Sequence, residues 1–148
     1  MRDLGAGVQA VDLIPGPPSA PVAGEDGLTV RVLLKGRLFA KQGWVFLDDA
    51  NERDNAGLPQ PHEFTLGRRE VIRGLEIGVR GMREGGVRRV VIPPRASYQD
   101  KTSKPIPRVF SNRQRLYTTI FNPTRLANGE GDTLSTVIFD IELVKVKA

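Results

Sequence analysis

Apolar and polar residues alternate most regularly at the end of the chain. In STVIFDIELVKVK, Ser135 to Lys147, positions Val137, Phe139, Ile141 and Leu143 fall on one side, and Asp140 and Glu142 on the other. This pattern predicts a half-buried antiparallel strand. Thr29 to Phe39 (TVRVLLKGRLF) reads as a second strand, with Gly36 marking a bulge. Short strands are expected at Trp44 to Phe46 and at Glu63 to Leu66, and another at Val87 to Pro94, stopped by two prolines. Val8 to Ile14 alternates weakly, as an edge strand would. One segment changes period: Val71, Ile72, Leu75, Val79 and Met82 follow helical spacing. Gly74, Gly78 and Gly81 each weaken that helix by roughly 1 kcal/mol relative to Ala, so it needs packing, and the glycines permit a close approach to a sheet.

The intervening stretches are turn-rich. Ile14 to Gly27 and the polar segment Asp48 to Pro61 read as loops, the second one exposed. Arg95 to Leu134 is a connection of about 40 residues; loops of that length inside a domain are uncommon and usually functional. It contains a possible helical turn at Ser111 to Phe121 and turn material at 122–124 and 127–132. Together these elements predict an α+β fold, a curved antiparallel sheet wrapped around one short α-helix, with a long insertion before the last strand. The expected division is an N-terminal segment, 1–28, and a main domain, 29–148, with 95–134 as an inserted loop. No run of about 18 apolar residues is present, so no membrane-spanning helix is expected. Met1 to Ile14 carries no cleavable signal pattern.

Composition narrows the chemistry. Cysteine is absent and His62 is the single histidine, which removes thiol nucleophiles and any cysteine or histidine zinc cluster. A serine–histidine–aspartate triad would have to use His62, in a loop-like stretch where a surface or satisfied role is the simpler reading. No metal or cofactor is expected. The chain carries 22 basic and 17 acidic residues, net +5, and the excess is local: residues 67–95 hold 8 Arg against 3 Glu. Arginine forks onto carboxylates and phosphates, so the region suits docking; a solvated face is the alternative. Nucleic acid is not an expected partner, because no binding motif or interleaved aromatics accompany the charge.

The order of motifs resembles the FKBP-type peptidyl-prolyl isomerases, the macrolide-binding immunophilins. The likeness is strongest in FTLGRREVIRGLEIGVRGMREGGVRRVVIPP, Phe64 to Pro94, and resumes in TVIFDIELVKV, Thr136 to Val146. A weaker stretch covers Val30 to Asp49. AKQGWVF and RQRLYTTIFNPTRLANGEG resemble a plant and algal subgroup of the chloroplast thylakoid lumen, which implies that location. The chemistry this implies needs no nucleophile. A prolyl amide resists rotation by about 18–20 kcal/mol through resonance, which is a separation of charge. An apolar pocket disfavours the planar, charge-separated form, and a few donors fix the neighbouring carbonyls.

The resemblance assigns Phe46, Tyr98 and Phe139 to the catalytic walls, Tyr98 as a hydroxyl donor. Val71, Ile72 and Leu75 fall at substrate-binding positions, with the Ile72 amide as a second donor. Core packing is the alternative role for these side chains. Departures accompany these matches. Leu75 stands where the family usually has a Trp floor, Leu34 where it has a Tyr, and Leu47 where it has an Asp, with Asp48 one place late. His62 stands at an aromatic position, and the 40-residue connection replaces a short loop. Two functions follow. One is a prolyl isomerase and folding or assembly factor acting on proline-containing protein segments. The other is an FKBP-fold docking module or structural subunit of a photosynthetic membrane complex. Its candidate contacts are Arg68, Arg69, Arg73, Arg80, Arg88, Arg113 and Arg115. Neighbours Arg88 and Arg89 cannot share a face of their strand.

Overall fold

The computed structural model describes residues 1–122 and 134–148. The turns expected at 122–124 and 127–132 therefore lie, Asn122 apart, outside the described residues. Seven strands form one antiparallel sheet: β1 (Arg2–Gly5), β2 (Val8–Ile14), β3 (Thr29–Leu38), β4 (Trp44–Asp48), β5 (His62–Thr65), β6 (Val87–Ile92) and β7 (Val137–Lys147). Helix α1 (Arg73–Val79) connects β5 to β6, and α2 (Phe110–Ile120) lies in the long connection before β7. The order across the sheet is β1-β2-β6-β7-β3-β4. Strand β7 pairs with β3 along its whole length, and the other edge of β3 is shared end to end by β5 (at Thr29 to Val32) and β4 (at Lys35 to Leu38). This is the expected curved antiparallel sheet around a short helix. β2 sits one place in from the edge, between β1 and β6.

Alternation along the strands produces the core. Val30, Val32, Leu34, Gly36 and Leu38 of β3 point inward with Val137, Phe139, Ile141 and Leu143 of β7. Helix α1 covers this face, burying Leu75 and Val79. Two glycines set its distance: a Cβ on Gly74 would lie 2.3 Å from Ile92 Cγ2, and one on Gly78 would lie 3.0 Å from Val90 Cγ1. The helix thus rests almost directly on β6.

Helix α1 is shorter than the 71–82 spacing suggests. Ile72 before it and Arg80 after it have non-helical backbone, with ψ of 145° and 132°. The preceding turn is pinned by side chains. The Glu76 carboxylate accepts the Gly67 and Arg69 amides at 2.6 and 3.1 Å, and Glu70 accepts the Thr65 amide at 2.8 Å. Those bonds offer residues 67–71 an alternative to helix, so Val71 belongs to the turn. At the other end α2 is a full helix of 11 residues rather than a single turn.

Candidate functional site

Phe46 on β4, Phe139 on β7 and Tyr98, just after β6, come together. The Phe46 ring meets Phe139 edge-on at 5.7 Å between centroids and Tyr98 edge-on at 6.1 Å. Such edge-to-face pairs match the positive rim of one ring to the negative face of another. Gly36 makes room for them, because a Cβ there would lie 2.8 Å from both the Phe139 and the Phe46 rings. Ile72 and Leu75 belong to the same buried cluster, while Val71 packs against it half-buried.

Among the described residues no open hollow lies between these rings. Phe46, Phe139 and Leu75 are fully buried and Tyr98 is only 3% exposed. Both predicted donors are occupied by the chain itself. The Ile72 amide donates to the Lys104 carbonyl at 2.8 Å, and the Tyr98 hydroxyl donates to the Pro105 carbonyl at 2.6 Å. Pro105 and Pro107 are buried, and the Lys104–Pro105 peptide is cis. Residues 104–107 form a strap whose carbonyls occupy the two donors that the resemblance assigns to a client. Burial pushes the Tyr98 hydroxyl well above its ordinary ionisation range of about 10.0, so it stays a neutral donor.

A buried carboxylate holds the strap down. Asp49, placed by the sequence in an exposed loop, is fully buried. It accepts the Leu34 amide at 2.8 Å, contacts His62 Nδ1 at 2.8 Å, and receives an Arg108 guanidinium nitrogen at 2.8 Å. Arg108 also donates to the Gln60 carbonyl and reaches Glu52 at 3.2 Å. A carboxylate can be buried where hydrogen bonds and an opposite charge replace its water. His62, at an aromatic position of the family, therefore supports Asp49. Neither Asp49 nor Arg108 was singled out from the sequence; the one available signal was the KPIP run, Lys104 to Pro107, inside an unusually long connection.

The candidate docking arginines divide. Arg88 is withdrawn from that role: it is buried, bonded to Asp12 at 2.7 Å and to the Gly78 and Arg80 carbonyls at 2.9 Å. An inward position on β6 forces this, since an unpaired buried cation would be costly. Burial acts to raise the Asp12 carboxyl, but hydrogen bonds from Arg88 and Arg2 outweigh it and hold it below its ordinary range. Arg89, on the opposite face, pairs with Asp140 at 2.7 Å. Arg80 pairs with Asp26. Arg113 lies over the Phe110 ring and Arg115 over Trp44, 4.3 Å from the ring centroid. Arg68, Arg69 and Arg73 are exposed, and among the described residues their side chains have no carboxylate partner.

Among the described residues no group of three or more metal-ligating side chains is assembled, and no helix is long and apolar enough to cross a membrane. Residues 21–144 match the family model described as FKBP-type peptidyl-prolyl cis-trans isomerase. The chain belongs to the FKBP family. It is 50% identical over 141 residues, 95% of its length, to the chloroplastic peptidyl-prolyl cis-trans isomerase FKBP17-1 of Arabidopsis thaliana, and spans 60% of that protein. It is 38% identical over 87 residues to chloroplastic FKBP19 of the same plant, covering 57% of this chain and 31% of that one. The crystal structure of FkpA from Escherichia coli superposes with a TM-score of 0.60 at 26% identity, over 96% of this chain and 49% of that one. The FKBP fold and the aromatic cluster are thus in place, with a strap laid across the donors.

Proposed function

We propose that this FKBP is a chloroplast protein that binds proline-containing segments of client proteins and isomerises them once the strap is displaced. The carrying observation is that the Ile72 amide and the Tyr98 hydroxyl, acting together, already hold two successive carbonyls flanking a proline nitrogen's residue, those of Lys104 and Pro105. A client entering there would be fixed by the same two donors against Phe46 and Phe139. Water is excluded from that cluster, which favours the twisted amide over the charge-separated planar one. No base or nucleophile is involved. The chloroplastic relatives support the compartment, and the resemblance of AKQGWVF and RQRLYTTIFNPTRLANGEG to the lumenal subgroup supports the thylakoid lumen within it.

The second reading is a docking module of a photosynthetic membrane complex. The closed site and the unpaired arginines favour it. A turnover assay on short Xaa-Pro peptides separates the two. Replacing Lys104 to Pro107 by Gly-Ser-Gly-Ser keeps the two carbonyls but removes the buried prolines and frees the backbone, so the bonds, about 1 kcal/mol each net, no longer hold the strap down and turnover should rise by about tenfold. Tyr98→Phe in that background should lower it again. A loosened variant that keeps its circular dichroism and thermal transition yet turns over nothing would leave the docking reading alone.

A further inference from the structure

Beside the strap lies an open groove of about 800 Å³, bordered on one side by the turn before α1 and on the other by residues 95–106. Its lining is amphipathic. Val71, Ile72, Pro105 and Ile106 supply apolar surface, while Arg69, Arg73, Arg95 and Lys104 supply positive charge. Three carboxylates share its wall. Glu63 is held between Arg31 and Lys147, both at 2.9 Å. Glu70 accepts the Thr65 amide, and Asp100 is hydrogen-bonded by Thr102. Arg95 donates one nitrogen to the Ala6 carbonyl, but the side chains of Arg69, Arg73 and Lys104 have no carboxylate partner among the described residues. Glu70 and Asp100 accept only from neutral groups and keep their charge, so the groove sets four cations against two carboxylates that no cation pairs among the described residues, a positive excess.

Two further features point to a ligand. Ser97 lines this groove, is 2% exposed, and its Oγ has no hydrogen-bond partner among the described residues. A buried hydroxyl without a partner is uncommon, and the residue that carries it borders the groove. Arg69 is held at φ 56°, a left-handed conformation that glycine adopts at no cost, while Glu76 fixes its backbone. The fold thus keeps a long cationic side chain at the groove rim where the backbone itself would suit glycine.

We propose that this groove binds an extended, acidic polypeptide segment of a client, with carboxylates on Arg69, Arg73 and Lys104 and a main-chain or side-chain acceptor on Ser97 Oγ. Apolar lining between the cations suits a polypeptide better than a bare anion, and the groove shares Ile72, Lys104 and Pro105 with the strap. The acidic segment would therefore lie next to the client's proline. This rests on the reading that clients enter at the strap, but binding in the groove is measured without it.

The test is fluorescence anisotropy with the full chain and three labelled probes. These are a proline-free peptide of alternating Glu and Ala, its Lys-for-Glu counterpart, and a single-stranded DNA of similar charge. The acidic peptide should bind, the basic one should not, and added salt should weaken the complex. Arg69→Ala with Arg73→Ala should weaken it about tenfold, and Ser97→Ala by about threefold, with unchanged thermal transitions. Binding of the acidic peptide that is indifferent to these substitutions, or tighter binding of the DNA, overturns the proposal. Turnover by the loosened-strap variant without acidic-peptide binding refutes the groove alone. Acidic-peptide binding lost in the arginine variant, with no turnover, supports the groove and refutes the isomerase reading instead.

Discussion

Two neighbouring regions share Ile72, Lys104 and Pro105 and have opposite characters. In the aromatic cluster every donor is satisfied from within, the rings are buried, and a glycine is required for the fit. In the groove beside it, guanidinium groups face solvent and a buried hydroxyl lacks a partner among the described residues. Where complementarity is complete, as around Phe46, substitution is paid for in stability. Where it is incomplete, as around Arg73, the missing half belongs to another molecule, and substitution should register only in binding.

That contrast can be broken from the closed side first. Asp49→Asn should have the largest effect. It puts an amide nitrogen among groups that a carboxylate accepted from and leaves Arg108 with Glu52 as its carboxylate partner, for a loss of about 3 kcal/mol read from the urea midpoint. Gly36→Ala comes next, because the added methyl meets two rings confined by strands; overpacking of this kind costs about 1–3 kcal/mol. Tyr98→Phe should cost about 1 kcal/mol at neutral pH by orphaning the Pro105 carbonyl. Its pH dependence has a definite sign. The folded ionisation of Tyr98 is raised, so its contribution is fully present below pH 10.0 and is lost as pH rises above that value and the unfolded chain ionises. The stability gap between wild type and Tyr98→Phe should therefore narrow in alkaline titration. Arg73→Ala, on the open side, should change stability by less than about 0.5 kcal/mol. A large loss there would erase the distinction between the two regions.

Much of the fold was legible in period alone. Alternation located β3, β6 and β7, and the glycine spacing of 74 and 78 already implied a helix pressed onto a strand. The start of α1 was not legible, because side-chain to main-chain bonds across the turn, from the Gly67 and Arg69 amides to Glu76, decide where that helix begins, and the apolar spacing does not record them. The aromatic triplet was legible through family resemblance, but the strap was not. Its closure depends on Asp49 meeting Arg108 across 59 residues, and no local pattern records a pairing of that separation. Arg88 misled for a related reason. Composition counts a buried arginine and an exposed one alike, and only the inward register of β6 tells them apart.

Asp49 also stitches β3 to β5 through the Leu34 amide and His62. One carboxylate therefore ties the cover over the rings to the sheet beneath it. Transplanting residues 104–108 into another FKBP would not carry the closure along, because the clasp that fastens them is contributed by the host.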